Sequence, residues 1–222
     1  MKIIQKKTEK LLIKELIRIF LKSAKLETKA GNRFSFVLTG GPSPIKLYDL
    51  LSKSKIFWNK IDLFWGDERF VSHKSKSSNF RLVHKSLLKR ISINKKNLYP
   101  IKTNFKNVKI AAKKYAQKIK KYFKNKKLSF DIVLLGMGDD GHIASIFSDN
   151  IRAKEKLITN YVKRKDFERI SLSLDTINKA KKIFLLLNTK NKTVLFKKFV
   201  KRKNHVPVNF LNKKKIYIFQ VV

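Results

Sequence analysis

The sequence predicts a Rossmann-like α/β fold, in which a mostly parallel sheet carries helices on both faces. One pattern predicts it. Short apolar runs of strand length alternate along the chain with longer segments whose apolar residues recur at helical spacing, and this alternation is typical of parallel sheets covered by helices. No linker or internal repeat interrupts the 222 residues. We therefore expect a single domain over residues 1–222.

The predicted strands are short runs rich in apolar, β-branched and aromatic residues, which is the pattern of strands buried on both faces. The first three of them end in polar loops that contain glycine. Because ligands of open α/β sheets bind beyond the carboxyl ends of the strands, these loops should converge on one cleft. The predicted strands cover residues 34–38, 61–65, 130–135, 170–174, 183–187 and 216–221.

The predicted helices are segments in which apolar residues recur three or four positions apart. The helix after the first strand should turn Leu47, Leu50 and Leu51 inward, and Asn79 is a candidate N-cap of the next helix. The predicted helices cover residues 9–25, a segment after residue 44, a segment from residue 79, residues 108–123 and residues 193–199.

The chain is strongly basic, with 54 lysines and arginines against 15 acidic residues and a formal net charge of +39. This charge indicates either a nucleic-acid-binding protein or a compositional bias that places lysine at neutral surface positions. The lysines are spread along the whole chain, and no nucleic-acid-binding motif is visible. We therefore favour the bias and expect no nucleic-acid partner, although the charge should speed encounter with an anionic substrate.

The absence of cysteine excludes disulfides, thiolate metal sites and cysteine nucleophiles. Residues 1–7 lack the apolar run of a secretory signal. No stretch approaches the ~20 apolar residues of a membrane-spanning helix. These patterns predict a cytoplasmic protein without a membrane partner. They leave the oligomeric state open, with a monomer favoured.

The loop after the first strand contains Gly40, Gly41 and Ser43. The two glycines let the backbone approach a ligand closely, and the helix that follows offers free amide groups suited to phosphate. Ser43 adds a hydroxyl donor. A plain turn after a strand would look the same, so this loop alone favours a simple turn and leaves a phosphate site as the alternative.

The loop after the second strand contains Asp67, Glu68 and Arg69. Arg69 has the forked geometry that binds an anion with two hydrogen bonds. Asp67 is suited to holding a sugar hydroxyl or to orienting a catalytic group. The alternative is a local Asp–Arg ion pair on a solvated loop.

The loop after the third strand carries the clearest signal, because His142 follows Gly141 and lies close to Asp140. An imidazole there can take a proton from water and return it later. Asp140 is placed to orient the ring and to stabilise its charged form. The other histidines, His73, His84 and His205, lie in lysine-rich or helical contexts and are predicted to lie at the surface.

Together the three loops resemble the 6-phosphogluconolactonase family, within the wider glucosamine-6-phosphate isomerase/deaminase superfamily. That family shows a Gly-Gly loop with Ser/Thr-Pro, then Asp-Glu-Arg followed by Ser-Asn, then Leu-Leu-Gly-x-Gly-x-Asp-Gly-His-x-Ala-Ser-x-Phe. All three occur here in that order. Arg169 matches the family's Arg-Ile/Val-Thr-Leu strand, and Lys192 matches the lysine of its late Gly-x-x-Lys element. The resemblance covers residues 34–199.

The resemblance implies a cofactor-free enzyme without a metal. It would hydrolyse 6-phospho-D-glucono-1,5-lactone, a small phosphorylated sugar lactone, to 6-phosphogluconate in the oxidative pentose phosphate pathway. His142 would remove a proton from water, with Asp140 positioning the ring and Asp67 contacting the sugar hydroxyls or the histidine network. The residues implied for substrate and phosphate binding are Gly40, Gly41, Ser43, Arg69, Arg169 and Lys192.

Three positions depart from the family pattern, namely Pro42, Ser148 and Thr189. Pro42 alters the Gly-Gly-Ser-Thr-Pro loop, Ser148 replaces a proline, and Thr189 replaces the glycine of Gly-x-x-Lys. These departures bear on the predicted phosphate contacts more than on the hydrolytic centre.

Two other functions remain open from sequence. The deaminase branch of the superfamily carries a glutamate five residues after the histidine, where this chain has Phe147, so the lactonase branch is favoured. The second alternative is a basic nucleic-acid-binding protein that has lost catalysis, and its support is the net charge.

Overall fold

The computed structural model describes residues 1–151, 156–201 and 206–222. Its strands are β1 (Lys2–Lys6), β2 (Phe34–Leu38), β3 (Ile61–Trp65), β4 (Asp67–Arg69), β5 (Leu98–Tyr99), β6 (Ile132–Leu135), β7 (Thr159–Lys163), β8 (Glu168–Leu172), β9 (Lys182–Leu187) and β10 (Ile216–Val221). A seven-stranded sheet in the order β1-β10-β9-β6-β2-β3-β5 is parallel throughout. A smaller antiparallel sheet has the order β4-β8-β7.

Four of the helices in the described residues begin where a side chain caps their free amide groups. Thr8, Ser78, Asn107 and Ser173 each accept a hydrogen bond from a backbone N–H of the first turn. The cap after β3 is therefore Ser78, and the prediction of Asn79 was wrong by one residue. The helices are α1 (Glu9–Lys29), α2 (Ile45–Ser52), α3 (Asn79–Ser86), α4 (Val108–Tyr122), α5 (Leu174–Lys179) and α6 (Lys190–Lys201).

The central strands show why the sheet is covered on both faces. Every residue of β2 and β3 is buried, and successive side chains of a strand point to opposite faces. Helix α1 covers part of the sheet, with Phe20 packed edge-on against Phe34 and Phe36 at ring-centroid distances of 5.4 and 4.8 Å. Burying each such ring contributes about 1.5–3 kcal/mol. The predicted fold class is thus confirmed.

Several predicted boundaries differ from the structure. The strand predicted at 170–174 ends at Leu172, because Ser173 caps α5 and Leu174 is its first residue. That strand belongs to the antiparallel sheet. His73 and His84 were predicted to lie at the surface. Both are partly exposed, and each ring also packs beside that of Phe80, at centroid distances of 4.4 and 6.0 Å. His205 lies outside the described residues.

Two tyrosines fix the strand ends that lead into the predicted cleft. The Tyr48 hydroxyl accepts from the Thr39 N–H at 2.9 Å and donates to the Thr39 carbonyl at 2.7 Å. The Tyr115 hydroxyl bonds to the N–H and carbonyl of Trp65 in the same way, at 3.0 and 2.9 Å. The buried backbone groups at these two strand ends thereby keep their hydrogen bonds. In the described residues no helix has the length and apolar character needed to cross a membrane.

We expect Tyr48→Phe to lower the free energy of unfolding by about 2–4 kcal/mol, since it leaves two buried backbone groups without a partner. Urea denaturation checks this. Tyr161→Phe is the control, because Tyr161 is exposed and its hydroxyl makes no hydrogen bond within the described ranges. Equal midpoints for the two variants would contradict the clamping role of Tyr48.

Candidate active site

The carboxyl ends of β6, β2 and β3 are neighbours in the sheet, and the three loops that follow them surround one cavity of about 410 Å³. This arrangement agrees with the expected convergence of the loops. The cavity also receives side chains from β8 and α6. Of the predicted site residues, those lining it are Gly40, Gly41, Ser43, Asp67, Arg69, His142, Arg169 and Lys192.

Asp140 is not part of the cavity lining, but it holds His142. Its Oδ1 atom lies 2.5 Å from His142 Nδ1 and accepts from the His142 backbone N–H at 3.1 Å. A carboxylate only accepts, so Nδ1 carries the proton and Nε2 presents a lone pair. No group in the described part of the chain hydrogen-bonds Nε2. Partial burial raises the pKa of Asp140, but the hydrogen bonds and charge of His142 outweigh burial and leave the pKa below its ordinary value.

A tight turn follows the histidine. Ile143 and Ile146 exchange backbone hydrogen bonds of 3.3 and 2.9 Å, and Ala144 at its tip has a φ of 49°. That left-handed conformation costs a non-glycine residue about 1 kcal/mol or more. The turn directs Ser145 back towards β4, where its hydroxyl donates to Asp67 Oδ2 at 2.8 Å.

Asp67 is buried, and both of its carboxylate oxygens accept from neutral groups. Ser145 bonds to Oδ2, while the Asn79 side-chain amide donates to Oδ1 at 3.1 Å and to the Asp67 carbonyl at 3.0 Å. Arg69 instead donates to the Ser77 carbonyl at 2.8 Å. The alternative of a local Asp–Arg ion pair was therefore wrong.

Asn79 is a site residue that the sequence interpretation assigned to helix capping. It lines the cavity and is 1% exposed. A Cβ atom on Gly40 would lie 1.9 Å from its Oδ1 atom, so the Asn79 amide fits only against a glycine. The sequence did offer a signal for this role. Ser78 is the better cap, which leaves Asn79, one residue later, available for the site.

Glu68 points away from the cavity and holds α3 in place. Its carboxylate accepts from the backbone N–H groups of Asn79 and Phe80, each at 2.7 Å, and from the Ser78 hydroxyl at 3.0 Å. Burial raises the pKa of Glu68 to about 7, and these hydrogen bonds oppose the rise. The contacts fix the first turn of α3 and with it the side chain of Asn79.

Arg69 and Arg169 lie directly opposite each other on β4 and β8. Like charges at such a position destabilise a sheet. The arginine pair therefore disfavours strand pairing but is favourable for binding an anion. Arg169 donates to Asp166 at 2.5 Å. The Nε atom of each arginine is buried and has no hydrogen-bond partner in the described ranges. Two guanidinium groups with unused donors are suited to a phosphate dianion.

Lys192 reaches the cavity from the first turn of α6. Its Nζ atom donates to the Met137 carbonyl at 2.7 Å. Burial lowers the pKa of Lys192, and the charge of Asp139 opposes this. Thr189 accepts from the Lys192 N–H at 3.2 Å, which is the geometry of an N-cap. Threonine at the family's glycine position therefore starts the helix that carries Lys192.

Comparison with known proteins agrees with this geometry. The family described as glucosamine-6-phosphate isomerases/6-phosphogluconolactonase matches residues 7–219. A 6-phosphogluconolactonase of Nostoc sp. is 36% identical over 176 residues, which cover 76% of this chain and 72% of the relative. One from Thermotoga maritima is 32% identical and covers 70% of each chain. The crystal structure of a Thermotoga maritima 6-phosphogluconolactonase matches with a TM-score of 0.87 at 24% identity, covering 99% of this chain and 98% of that one.

Proposed function

The chain belongs to the glucosamine-6-phosphate isomerase/6-phosphogluconolactonase family, and we propose that it hydrolyses 6-phospho-D-glucono-1,5-lactone with His142 as general base. The activity is that of a 6-phosphogluconolactonase, a hydrolase of the oxidative pentose phosphate pathway. One observation carries the mechanistic proposal. The free Nε2 of His142 shares a single cavity with Arg69, Arg169 and Lys192.

The hydrolytic step begins with water. His142 Nε2 takes a proton from the water molecule as its oxygen bonds to C1 of the lactone, and the carbonyl electrons move onto the carbonyl oxygen. As this tetrahedral oxyanion collapses, the bond between C1 and the ring oxygen breaks. The imidazolium then gives its proton to the ring oxygen. Asp140 keeps Nδ1 protonated throughout and stabilises the transient imidazolium.

Groups around the cavity are suited to holding the rest of the substrate. Arg69, Arg169 and Lys192 provide positive charge for the phosphate, together with the loop of Gly40, Gly41 and Ser43. Gly41 has a φ of 78°, which favours glycine. Asp67 has lone pairs left beyond its two neutral donors and accepts from a sugar hydroxyl.

Phe147 argues against the deaminase alternative. It stands five residues after His142, and its ring centroid lies 4.6 Å from that of the imidazole. An apolar ring therefore occupies the position of the deaminase branch's glutamate. Release of ammonia from glucosamine 6-phosphate would reverse this assignment.

We expect Arg169→Met to raise KM for the phosphorylated lactone about ten- to a hundredfold, because a hydrogen bond to a charged group contributes about 1.5–3 kcal/mol. Hydrolysis of unphosphorylated glucono-1,5-lactone should be unchanged, which separates lost phosphate binding from damaged chemistry. The control is Arg81→Met, since Arg81 donates to the Lys74 carbonyl and does not line the cavity. An unchanged KM would remove Arg169 from the phosphate site.

The same proposal extends to the protein's surroundings. We propose a cytoplasmic, single-domain monomer whose ligand is a small phosphorylated lactone and which has no nucleic-acid partner. The lysines are spread over the whole chain, which suits steering of an anionic substrate more than a defined nucleic-acid groove. A steep, sequence-dependent loss of DNA or RNA affinity with salt would contradict it.

A further inference from the structure

Phe147 contacts the imidazole of His142 and two guanidinium groups. The His142 and Phe147 ring centroids lie 4.6 Å apart with an interplanar angle of 36°. The Arg164 Cζ atom lies 3.8 Å from the Phe147 ring centroid, and that of Arg169 lies 5.7 Å from it. The phenylalanine is 8% exposed. Its ring therefore packs between the histidine loop and the antiparallel sheet.

Arg164 is itself held in one orientation. Its Nη1 and Nη2 atoms donate to the two carboxylate oxygens of Asp149 at 2.6 and 2.8 Å, and its backbone N–H donates to the Phe167 carbonyl at 3.0 Å in the turn between β7 and β8. A guanidinium that is paired at both tips and stacked on a ring loses little further freedom. Arg164 thus fixes both the Phe147 ring and the segment that follows it.

The histidine needs such support, because within the described ranges only one side-chain hydrogen bond orients its ring. Asp140 holds Nδ1, but its own side chain is 61% exposed, and the imidazole is 30% exposed. One hydrogen bond leaves the ring free to tilt about that bond. The face of Phe147 supplies the second restraint.

We infer that Phe147 and Arg164 are positioning residues that set the plane of the His142 imidazole. The inference rests on the proposed role of His142 as general base. Arg164 and Arg169 lie on one hairpin, in its turn and on β8, so the hairpin that carries a proposed phosphate ligand also carries the support of the base. Neither Phe147 nor Arg164 touches the reacting atoms. Their effect should appear in kcat and not in binding.

The test is Arg164→Met, which keeps the length of the side chain and removes the planar cation and its fork. We expect kcat to fall about three- to thirtyfold, with KM and the inhibition constant of inorganic phosphate unchanged. Arg18→Met is the matched control. Arg18 pairs with both oxygens of Glu15 at 2.7 and 3.0 Å in the same forked way, but it lies on α1 outside the cavity.

A second pair of variants tests the ring. Phe147→Tyr keeps an aromatic face and should retain most of kcat, whereas Phe147→Leu removes it and should lower kcat at least as much as Arg164→Met. A lower melting temperature of Arg164→Met together with wild-type kcat and KM at 25 °C would overturn the inference, because it would show a purely structural role. If His142→Ala kept its activity, the proposed function would fail instead, so the two failures are distinguishable.

Discussion

His142→Ala is expected to lower kcat for 6-phosphogluconolactone by about 10²–10⁴-fold, the usual contribution of a general acid–base group. The reason is the geometry at Nε2. Asp140 fixes the proton on Nδ1, so the lone pair of Nε2 is available to an attacking water, and alanine removes that acceptor. The proposed phosphate ligands are left in place. KM and inhibition by inorganic phosphate should therefore change little.

The measurement is initial-rate lactonase kinetics on freshly made lactone, corrected for spontaneous ring opening. His84→Ala is the matched control, since His84 is a half-buried histidine of α3 that does not line the cavity. It should retain wild-type kcat. A folded His142→Ala protein with near-normal turnover would refute the assignment of the base.

The parts of the fold that were predictable are those in which local pattern and burial coincide. The runs 34–38 and 61–65 match β2 and β3 residue by residue, because strands buried on both faces read as nearly continuous apolar runs. Strand β1 was missed. It lies at the edge of the sheet, and Lys2, Ile3 and Gln5 are exposed, so its sequence shows no continuous apolar run. Residues 67–69 were expected in a loop, since Asp-Glu-Arg has little strand propensity.

Long-range pairing explains what sequence could not give about the site. Asp67 and Arg69 were predicted from one segment of the sequence, and Arg169 was predicted from another. Only the register of β4 with β8 places the two arginines opposite each other. Pairing of strands so far apart leaves no local trace in either segment. Likewise, Phe147 was visible as part of a motif, but its contact with Arg164 depends on the hairpin of β7 and β8.

In the histidine loop, the surroundings of each glycine decide whether the site requires that glycine. A motif alone does not say which glycine the site requires. Gly136 and Gly138 are two residues apart in the same loop, and neither has a positive φ. Their surroundings differ. A Cβ on Gly136 would meet nothing within 4 Å, whereas a Cβ on Gly138 would lie 2.1 Å from His142 Cε1 and 2.2 Å from Nδ1.

We therefore expect Gly138→Ala to lower kcat about a hundredfold, because a displacement of a catalytic group by about 1 Å costs about that much. The added methyl would also lie 2.9 Å from Asp140 Oδ1. It would therefore displace the imidazole and separate it from Asp140. The partly exposed imidazole can swing towards solvent, which keeps the cost in folding free energy small. Gly136→Ala should leave the imidazole in place and the melting temperature and kcat near wild type; because Gly136 lines the cavity, its KM is not part of this control.

Kinetics on both variants, with melting temperatures and phosphate inhibition measured in parallel, separate the outcomes. Loss of kcat in Gly138→Ala with retained phosphate binding is the expected result, since the proposed phosphate ligands Arg69, Arg169 and Lys192 lie on other elements. Equal activity of the two alanine variants would mean that the ring position seen here is not the one used in catalysis. Equal loss in both would point to the loop backbone instead of the imidazole.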